Sequence, residues 1–327
     1  MLKLINLISK HLYIILTKAS ILVGGQAIIE GVMMRVPGAY AAAARNQNGE
    51  IVSKRTEFIS NVEKYKFLKL PILRGIIGLF EALLIGVATL NWSSDISMLE
   101  GEKKPGKIVD FLLTICSFTL AISLFFIAPI SLTSWLSHKE QDPIIFNILS
   151  GLIRIIFFLV YLLLISMMKD VYRLFQYHGA EHKAVYTFEA GKSLIVENTY
   201  NFPTQHPRCG TSFLFLIMIV AIISFAILDS ILIAYIGQIN LTIRLVSHIP
   251  FIPIVAGIGY EVLKLTAKYN NFIIFKILSK PGLLLQNITT KKPDDEQVEV
   301  ALEALKFAFN YDTSKYEGKE HVAEAIG

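Results

Sequence analysis

The sequence predicts an α-helical integral membrane protein with about four transmembrane helices and one re-entrant or interfacial helix. A small cytoplasmic β-hairpin or meander and a C-terminal amphipathic helix complete the predicted fold. Hydrophobic residues make up 54% of the 327 residues and charged residues only 17%, whereas soluble domains are roughly a quarter charged. Several apolar runs are close to the ~20 residues that span a bilayer. The cations concentrate in particular loops, which gives the chain an orientation in the membrane.

The first twenty residues are predicted to form an amphipathic N-terminal anchor. Lys3, Lys10 and Lys18 form one polar stripe on an otherwise apolar helix. Such a helix lies in the membrane surface. The charges interrupt any continuous apolar core, and no small-residue cleavage site follows, so a secretory signal peptide is not expected.

Residues 22–70 are predicted to be a small cytoplasmic β-containing region. Short strands are expected at Gln26–Met34, Ala41–Asn46 and Ile51–Glu57. The Asn-Gly dipeptide at 48–49 separates the last two, and this dipeptide is typical of a β-hairpin.

Residues 71–92 are apolar but carry Arg74 and Glu81. The chain is basic on both sides of this stretch, which predicts that both flanks are cytoplasmic. A single crossing cannot leave both ends on one side of a membrane. The stretch is therefore predicted to be re-entrant or interfacial.

Two transmembrane hairpins are expected, at residues 108–168 and 211–265. The last span is short and is interrupted by two prolines and two glycines, so it is expected to extend at either end. The four predicted spans are Phe111–Ser137, Pro143–Met168, Thr211–Leu228 and Leu245–Tyr260.

The remaining segments are predicted to be cytoplasmic. Loops 137–143 and 237–244 contain few cations and are expected to face outward, which leaves 169–210 and 266–327 on the cytoplasmic side. The chain is thus predicted to cross the membrane several times with both termini cytoplasmic. The acidic run after Pro293 predicts a helix that reaches about Phe309.

A histidine pair within 169–210 is the strongest functional signal. His178 and His182 are four residues apart, which places their Cβ atoms roughly 5–6 Å apart on one helical face. Two imidazoles at that spacing can share one metal ion. With Glu181 they form the inverted zincin order His-x-x-Glu-His, in which the glutamate is the general base. Ordinary packed or surface histidines are the alternative.

His206 and Cys209 are candidates to complete the metal shell. The chain has 2 cysteines, and the other, Cys116, lies in an apolar run and is expected to be a buried hydrophobe. Two histidines and Cys209 would leave a fourth position open, as in catalytic zinc sites. Adding His206 would close the tetrahedron, as in structural sites.

Six further charged residues are candidate site residues. Two flank the cluster and could steady developing negative charge. Two bracket a short apolar strand, and two lie in or at the end of apolar spans, where a charge is costly unless it snorkels or faces a cavity. They are Arg208, Lys183, Glu30, Arg35, Arg154 and Glu261.

Four motifs resemble the YqhQ-like family of bacterial membrane proteins. They are Gly24-Gly-Gln-Ala-Ile-Ile-Glu-Gly-Val-Met-Met-Arg35, His178-Gly-Ala-Glu-His-Lys183, His206-Pro-Arg-Cys-Gly-Thr211 and Ala256-Gly-Ile-Gly-Tyr-Glu261. The resemblance covers about residues 22–308. It implies a bacterial inner-membrane protein, a domain of unknown function and a predicted metal-dependent enzyme.

The sequence therefore favours a membrane enzyme with a divalent metal, zinc being the first choice, and most simply a hydrolase at the cytoplasmic membrane face. Its partners would be the lipid bilayer and a substrate at that interface. The net charge of +5 is assigned to cytoplasmic loops and not to nucleic-acid binding. The alternatives are a non-enzymatic scaffold or assembly factor with a structural metal site, and a small-molecule or ion transporter.

Overall fold

A computed structural model describes residues 20–98, 106–137, 141–207, 209–268, 273–318 and 321–324. The anchor expected over residues 1–20 lies outside these ranges except for Ser20. The strands are β1 Ser20–Leu22, β2 Gly24–Ile28, β3 Gly31–Val36, β4 Ala39–Arg45, β5 Ile51–Glu57 and β6 Val322–Glu324. The helices are α1 Asn61–Lys64, α2 Leu73–Ser97, α3 Lys107–Ile122, α4 Ala128–Leu136, α5 Pro143–Ser166, α6 Lys169–Glu189, α7 Gly210–Ile236, α8 Leu241–Lys268, α9 Ile273–Thr289 and α10 Asp295–Ala308.

The sheet is a four-stranded antiparallel meander in the order β2-β3-β4-β5. The predicted hairpin between β4 and β5 is confirmed, with Gly49 at φ 82°. The single strand expected over Gln26–Met34 is wrong, because the chain folds back there and β2 pairs with β3. Glu30 makes this turn at φ 52°, and its carbonyl accepts from the Arg45 amide at 2.8 Å. Left-handed geometry at a glutamate has no sequence signature.

Both faces of the sheet are covered, because side chains alternate between faces along each strand. Met34, Ala41 and Ala43 share a core with α6 and α10. Met33 and Ala42 pack in a second core on the opposite face with Ile85 of α2. Because both faces are buried, the central strands β3 and β4 are apolar along most of their length and do not alternate with polar residues.

Within the described residues, five helical stretches are long and apolar enough to cross a membrane. They are Leu73–Ser97, Ile108–Leu136, Pro143–Ser166, Phe213–Ile236 and Leu241–Thr266. The second joins α3 to α4 through a π-helical turn at Ser123–Ile127. The last extends well beyond the predicted span and remains one helix through Pro250 and Pro253.

Helix α2 is unbroken over its 25 residues, so it does not turn back on itself as a re-entrant segment would. Its first half packs on α8, where a Cβ at Gly75 would meet the Tyr260 side chain at 2.7 Å. Its second half lies on the sheet, where Gln26 of β2 donates to the Gly86 carbonyl at 3.2 Å. One helix therefore joins the apolar bundle to the sheet.

The C-terminal region is more ordered than the sequence suggests. The helix expected after Pro293 is confirmed as α10, which Asp294 caps in a reciprocal capping box with Gln297. Helix α9 was not predicted, although it packs on α7 and α5. Its lysines and Pro281 mask an amphipathic pattern in the sequence. Helix α9 brings Thr289 to His178 and Gln286 to His206.

Candidate metal centre

Helix α6 presents His178 and His182 on one face, with ring centroids 4.5 Å apart. Each ring is oriented by a backbone carbonyl that contacts Nδ1. His178 Nδ1 lies 2.7 Å from the Thr289 carbonyl, and His182 Nδ1 contacts the Thr204 carbonyl. A carbonyl only accepts, so each Nδ1 carries the hydrogen and each Nε2 presents a lone pair. This is the orientation that metal-binding histidines normally have.

Cys209 completes a group of three possible ligands. Its Sγ lies 3.1 Å from His178 Nε2, and Cys209 caps the N-terminus of α7, where its Sγ accepts from the Thr211 amide. The ligand atoms of His178, His182 and Cys209 all lie within 4.8 Å of one another. A tetrahedral zinc site would require separations of roughly 3.3–3.6 Å for its bond lengths.

The Nε2 atom of His182 is buried and has no hydrogen-bond partner among the described residues. An unpaired buried polar nitrogen is costly, and a metal ion would satisfy it. Burial also lowers the pKa of His182, which keeps the ring neutral and able to coordinate. The three donor atoms, and the two carbonyls that orient the histidine rings, therefore fit a divalent metal.

A cavity of about 150 Å³ adjoins this cluster. Its lining includes His182 and Cys209 of the cluster, together with Glu181, Gln26 and Arg35. A fourth coordination position directed into this space would be accessible to a small reactant.

Glu181 lies in the cavity wall and outside the group of three ligand atoms. It is buried and accepts a hydrogen bond from the Gly25 backbone amide, and burial raises its pKa. Gly25 allows this approach, since a Cβ there would lie 3.3 Å from the Glu181 Cγ and 2.2 Å from the Met33 carbonyl. The inverted-zincin order thus places Glu181 beside the cluster without making it a ligand.

His206, the expected alternative fourth ligand, is not in the ligand group. Its Nε2 lies 3.3 Å from a Glu189 carboxylate oxygen, and its ring centroid is 5.6 Å from that of His182. Gln286 of α9 holds its backbone by two hydrogen bonds, of 2.7 and 2.9 Å. His206 therefore anchors the turn before Cys209, and it lines the same cavity as His182 and Cys209 without joining the ligand group.

Two other candidates are engaged in structural contacts. The Nζ of Lys183 donates to the Thr199 carbonyl at 2.9 Å and so fixes the loop after α6. Glu30 forms an ion pair with Arg173 and accepts from Tyr177 at 3.3 Å, which ties the β2–β3 turn to α6. Neither residue lines the cavity beside the cluster.

Glu261 and Arg154 belong to the helical bundle. Glu261 pairs with Arg74 and accepts from the Ile72 amide, joining α8 to the start of α2. Arg154 is buried, and its Nε donates to the Phe125 carbonyl in the π-helical turn at 2.8 Å. Arg208 lies outside the described residues. Of the six additional candidates, Arg35 lines the cavity.

A second polar cluster, which we call the Asp229 cluster, lies between α5, α7 and α8. Asp229 accepts from Asn147 at 2.7 Å, from Arg244 at 2.9 Å and from His248 at 2.8 Å. All four side chains are buried. Sequence reasoning missed this cluster, although the charged residues that interrupt otherwise apolar spans were a signal for it. The contacts of the Thr204 and Thr289 carbonyls with the two histidines could not be predicted from the sequence either, because every residue has a backbone carbonyl.

Two comparisons relate the chain to known proteins. Residues 70–311 match the family model described as "Protein of unknown function (DUF1385)". The chain is also similar to "Uncharacterized protein YqhQ" of Bacillus subtilis (strain 168), with 34% identity over 301 residues, covering 86% of this chain and 90% of the relative. No solved structure matches the chain. The family match agrees with the resemblance seen in the motifs.

Proposed function

The chain belongs to the DUF1385 family, and we propose that this member is a metal-dependent hydrolase acting at the cytoplasmic face of the membrane. A divalent metal, zinc being the first choice, would be held by His178, His182 and Cys209. The convergence of these three ligand atoms beside a cavity carries the proposal. Two imidazoles and one thiolate suit zinc, and three protein ligands with an open position are typical of catalytic zinc.

The metal, when bound, would lower the pKa of a water molecule and polarise the bond to be cleaved. Glu181 would accept the proton of the attacking water as the water oxygen bonds to the electrophilic atom of the substrate. Glu181 would then return the proton to the leaving group, so that hydrolysis consumes one water. Arg35, in the wall of the same cavity, would stabilise the developing negative charge.

The membrane placement is part of the proposal. We assign four spans to the stretches from residue 108 onward and place α2 at the cytoplasmic interface. This is supported by the contact of its second half with the sheet, since a lipid-exposed sheet edge is unsuited to the hydrocarbon region. The basic flanks of α2 support a cytoplasmic position for the sheet and for the segment that carries His178, His182 and Cys209.

The first test is the metal content of the detergent-purified protein, measured by plasma mass spectrometry. We expect about one zinc or iron per chain in the wild type, from the three-ligand set. His178→Ala/His182→Ala should lose it while remaining folded. His321→Ala is the matched control, because that ring contacts the Tyr316 carbonyl away from the cluster. A folded wild type without stoichiometric metal after zinc reconstitution would overturn the proposal.

Glu181→Gln separates an enzyme from a scaffold with a structural metal. The variant should retain its metal and its fold, but lose about 100-fold or more in hydrolysis of a panel of ester, phosphoester and peptide substrates, because the general base is removed. A structural site would be indifferent to this change. Metal binding without any Glu181-dependent hydrolysis in that panel would favour the scaffold.

A further inference from the structure

A second cavity, of about 270 Å³, lies between the start of α2, the end of α8 and the sheet. We call it the basic cavity, because four cationic side chains line it and one carboxylate, Glu63, does so. The cations are Arg35, Lys69, Arg74 and Lys264.

Three of the four cations are available to a ligand. Arg74 is engaged by Glu261. Arg35 lies 4.9 Å above the Phe58 ring, and neither it nor Lys69 or Lys264 has an ion-pair partner in the described parts of the chain. Glu81 and Glu63 act electrostatically on Arg35, and Glu261 acts on Lys264 as well as on Arg74. These three carboxylates offset part of the four positive charges, and a net positive charge remains for an anionic group.

The surface next to the basic cavity has the character of a membrane interface. Between residues 59 and 73, lysines alternate with large apolar side chains that remain exposed, among them Tyr65, Phe67 and Leu70 at 54%, 62% and 56%. Exposed aromatics interleaved with lysines are typical of segments that rest in the headgroup layer. The ends of two apolar helices, α2 and α8, meet at the same place. These features are those expected of a cavity at the depth of lipid headgroups.

The basic cavity is next to the metal site. Arg35 lines both cavities, so its side chain forms part of the wall between them. A molecule whose phosphate sits against Lys69 and Lys264 would thus have its adjoining atoms close to the cavity that contains Glu181 and Cys209.

We propose that the basic cavity binds the phosphate of an anionic phospholipid, with the acyl chains along the exposed apolar residues of segment 59–73. Phosphate is the shared chemistry of this lipid and of a soluble phosphate ester, and the apolar rim favours the lipid. That the bound lipid is also the substrate class rests on the proposed hydrolase function. The binding itself does not, because none of the three metal ligands lines the basic cavity.

The test is the binding of dioctanoyl phosphatidylglycerol to the full chain in detergent, followed by native mass spectrometry. Lys69→Ala/Lys264→Ala should weaken binding about tenfold or more, since each basic residue near a lipid surface contributes to attraction of the headgroup. Lys54→Ala/Lys306→Ala is the charge-matched control and should remain within about twofold of the wild type, because neither lysine lines the cavity. Both lysines of the test pair are exposed, and thermal unfolding checks that each variant is folded.

Two further arms identify the ligand. Dioctanoyl phosphatidylcholine should bind more weakly than phosphatidylglycerol, and inorganic phosphate at equal concentration should not displace the lipid. Equal losses in the test and control pairs would overturn the proposal. Displacement by inorganic phosphate that depends on Lys69 and Lys264 would overturn the lipid assignment in favour of a soluble phosphate ester. Repeating the binding with His178→Ala/His182→Ala separates the two proposals, because lipid binding should persist without the metal.

Discussion

The two buried polar clusters of this protein differ in where their hydrogen bonds and charges are directed. In the Asp229 cluster, one carboxylate receives three side-chain donors from α5 and α8. In the His/Cys cluster, formed by His178, His182 and Cys209, backbone carbonyls hold the rings by one nitrogen and leave the others converging beside a cavity. In the first arrangement the carboxylate is matched by donors of its own cluster, although the buried His248 Nδ1 has no hydrogen-bond partner among the described residues. The second is oriented but incomplete.

This difference separates structural polar groups from functional ones in an apolar protein. A buried charge that is fully paired holds helices together, and removal of one partner is expensive. A group that is fixed in position yet lacks a partner is suited to a ligand. The clusters should therefore respond in opposite ways to mutation and to metal removal.

The largest effect is expected from Asp229→Ala. Loss of the carboxylate leaves Arg244 and His248 buried without their anion, which should cost roughly 3–5 kcal/mol of unfolding free energy. Unfolding in detergent by denaturant measures it. The control is Asp142→Ala, which removes a helix N-cap and should cost about 1 kcal/mol. Equal losses in the two variants would show that the Asp229 cluster does not lock the bundle.

Removal of the metal should destabilise the His/Cys cluster and leave the Asp229 cluster unchanged. A chelator should lower the unfolding free energy of the wild type by about 2.7 kcal/mol, if the metal had been present at 100 times its Kd. His178→Ala/His182→Ala should not respond to the chelator. Asp229→Asn should lose as much as the wild type, since its cluster holds no metal. A chelator effect that survives the histidine substitutions would assign the metal elsewhere.

Gly179→Ala tests whether the backbone frame of the His/Cys cluster matters. A Cβ there would meet the Lys291 carbonyl at 2.1 Å, and Lys291 follows closely after the Thr289 carbonyl that orients His178. We expect a loss of about 1–3 kcal/mol in stability and of about tenfold in metal affinity. Gly106→Ala meets nothing within 4 Å and is the control. Unchanged zinc affinity in a competition titration would contradict this positioning role.

The smallest effect is expected at the pair of Arg74 and Glu261. Their side chains are 26% and 20% exposed, and partly solvated ion pairs contribute about 0–1 kcal/mol. A double-mutant cycle with Arg74→Met and Glu261→Gln measures the coupling. A coupling as large as the Asp229→Ala loss would mean that pairing at the edge of the bundle matters as much as pairing inside it.

The sequence predicted the features that depend on local patterns. Apolar runs gave the long helices, the Asn-Gly dipeptide gave the β4–β5 hairpin, and the acidic run after Pro293 gave α10. The spacing of His178 and His182 predicted their proximity, because a helix fixes it. These predictions need no knowledge of distant contacts.

The misses all depend on tertiary contacts. The β2–β3 turn at Glu30 is held by Arg45 and α6, and α9 is stabilised by its packing on α7. The sequence could not rank Cys209 and His206 as ligands, because Gln286, 80 residues from His206, fixes the backbone of that histidine. The orientation of the two histidines by the Thr204 and Thr289 carbonyls likewise cannot be predicted from the sequence, because backbone carbonyls have no sequence pattern.

The π-helical turn at Ser123–Ile127 contains one residue more than a regular α-helical turn. Its Ser123 carbonyl bonds to the Ala128 amide, five residues on, and its Phe125 carbonyl accepts from Arg154. A π-bulge absorbs one added residue within a widened turn, so the helices on its two sides keep their facing. Pro129, Ile130 and Thr133 of α4 therefore remain on the buried side of the bundle. Deleting one residue from the turn would restore regular winding there and remove the widened turn that receives Arg154.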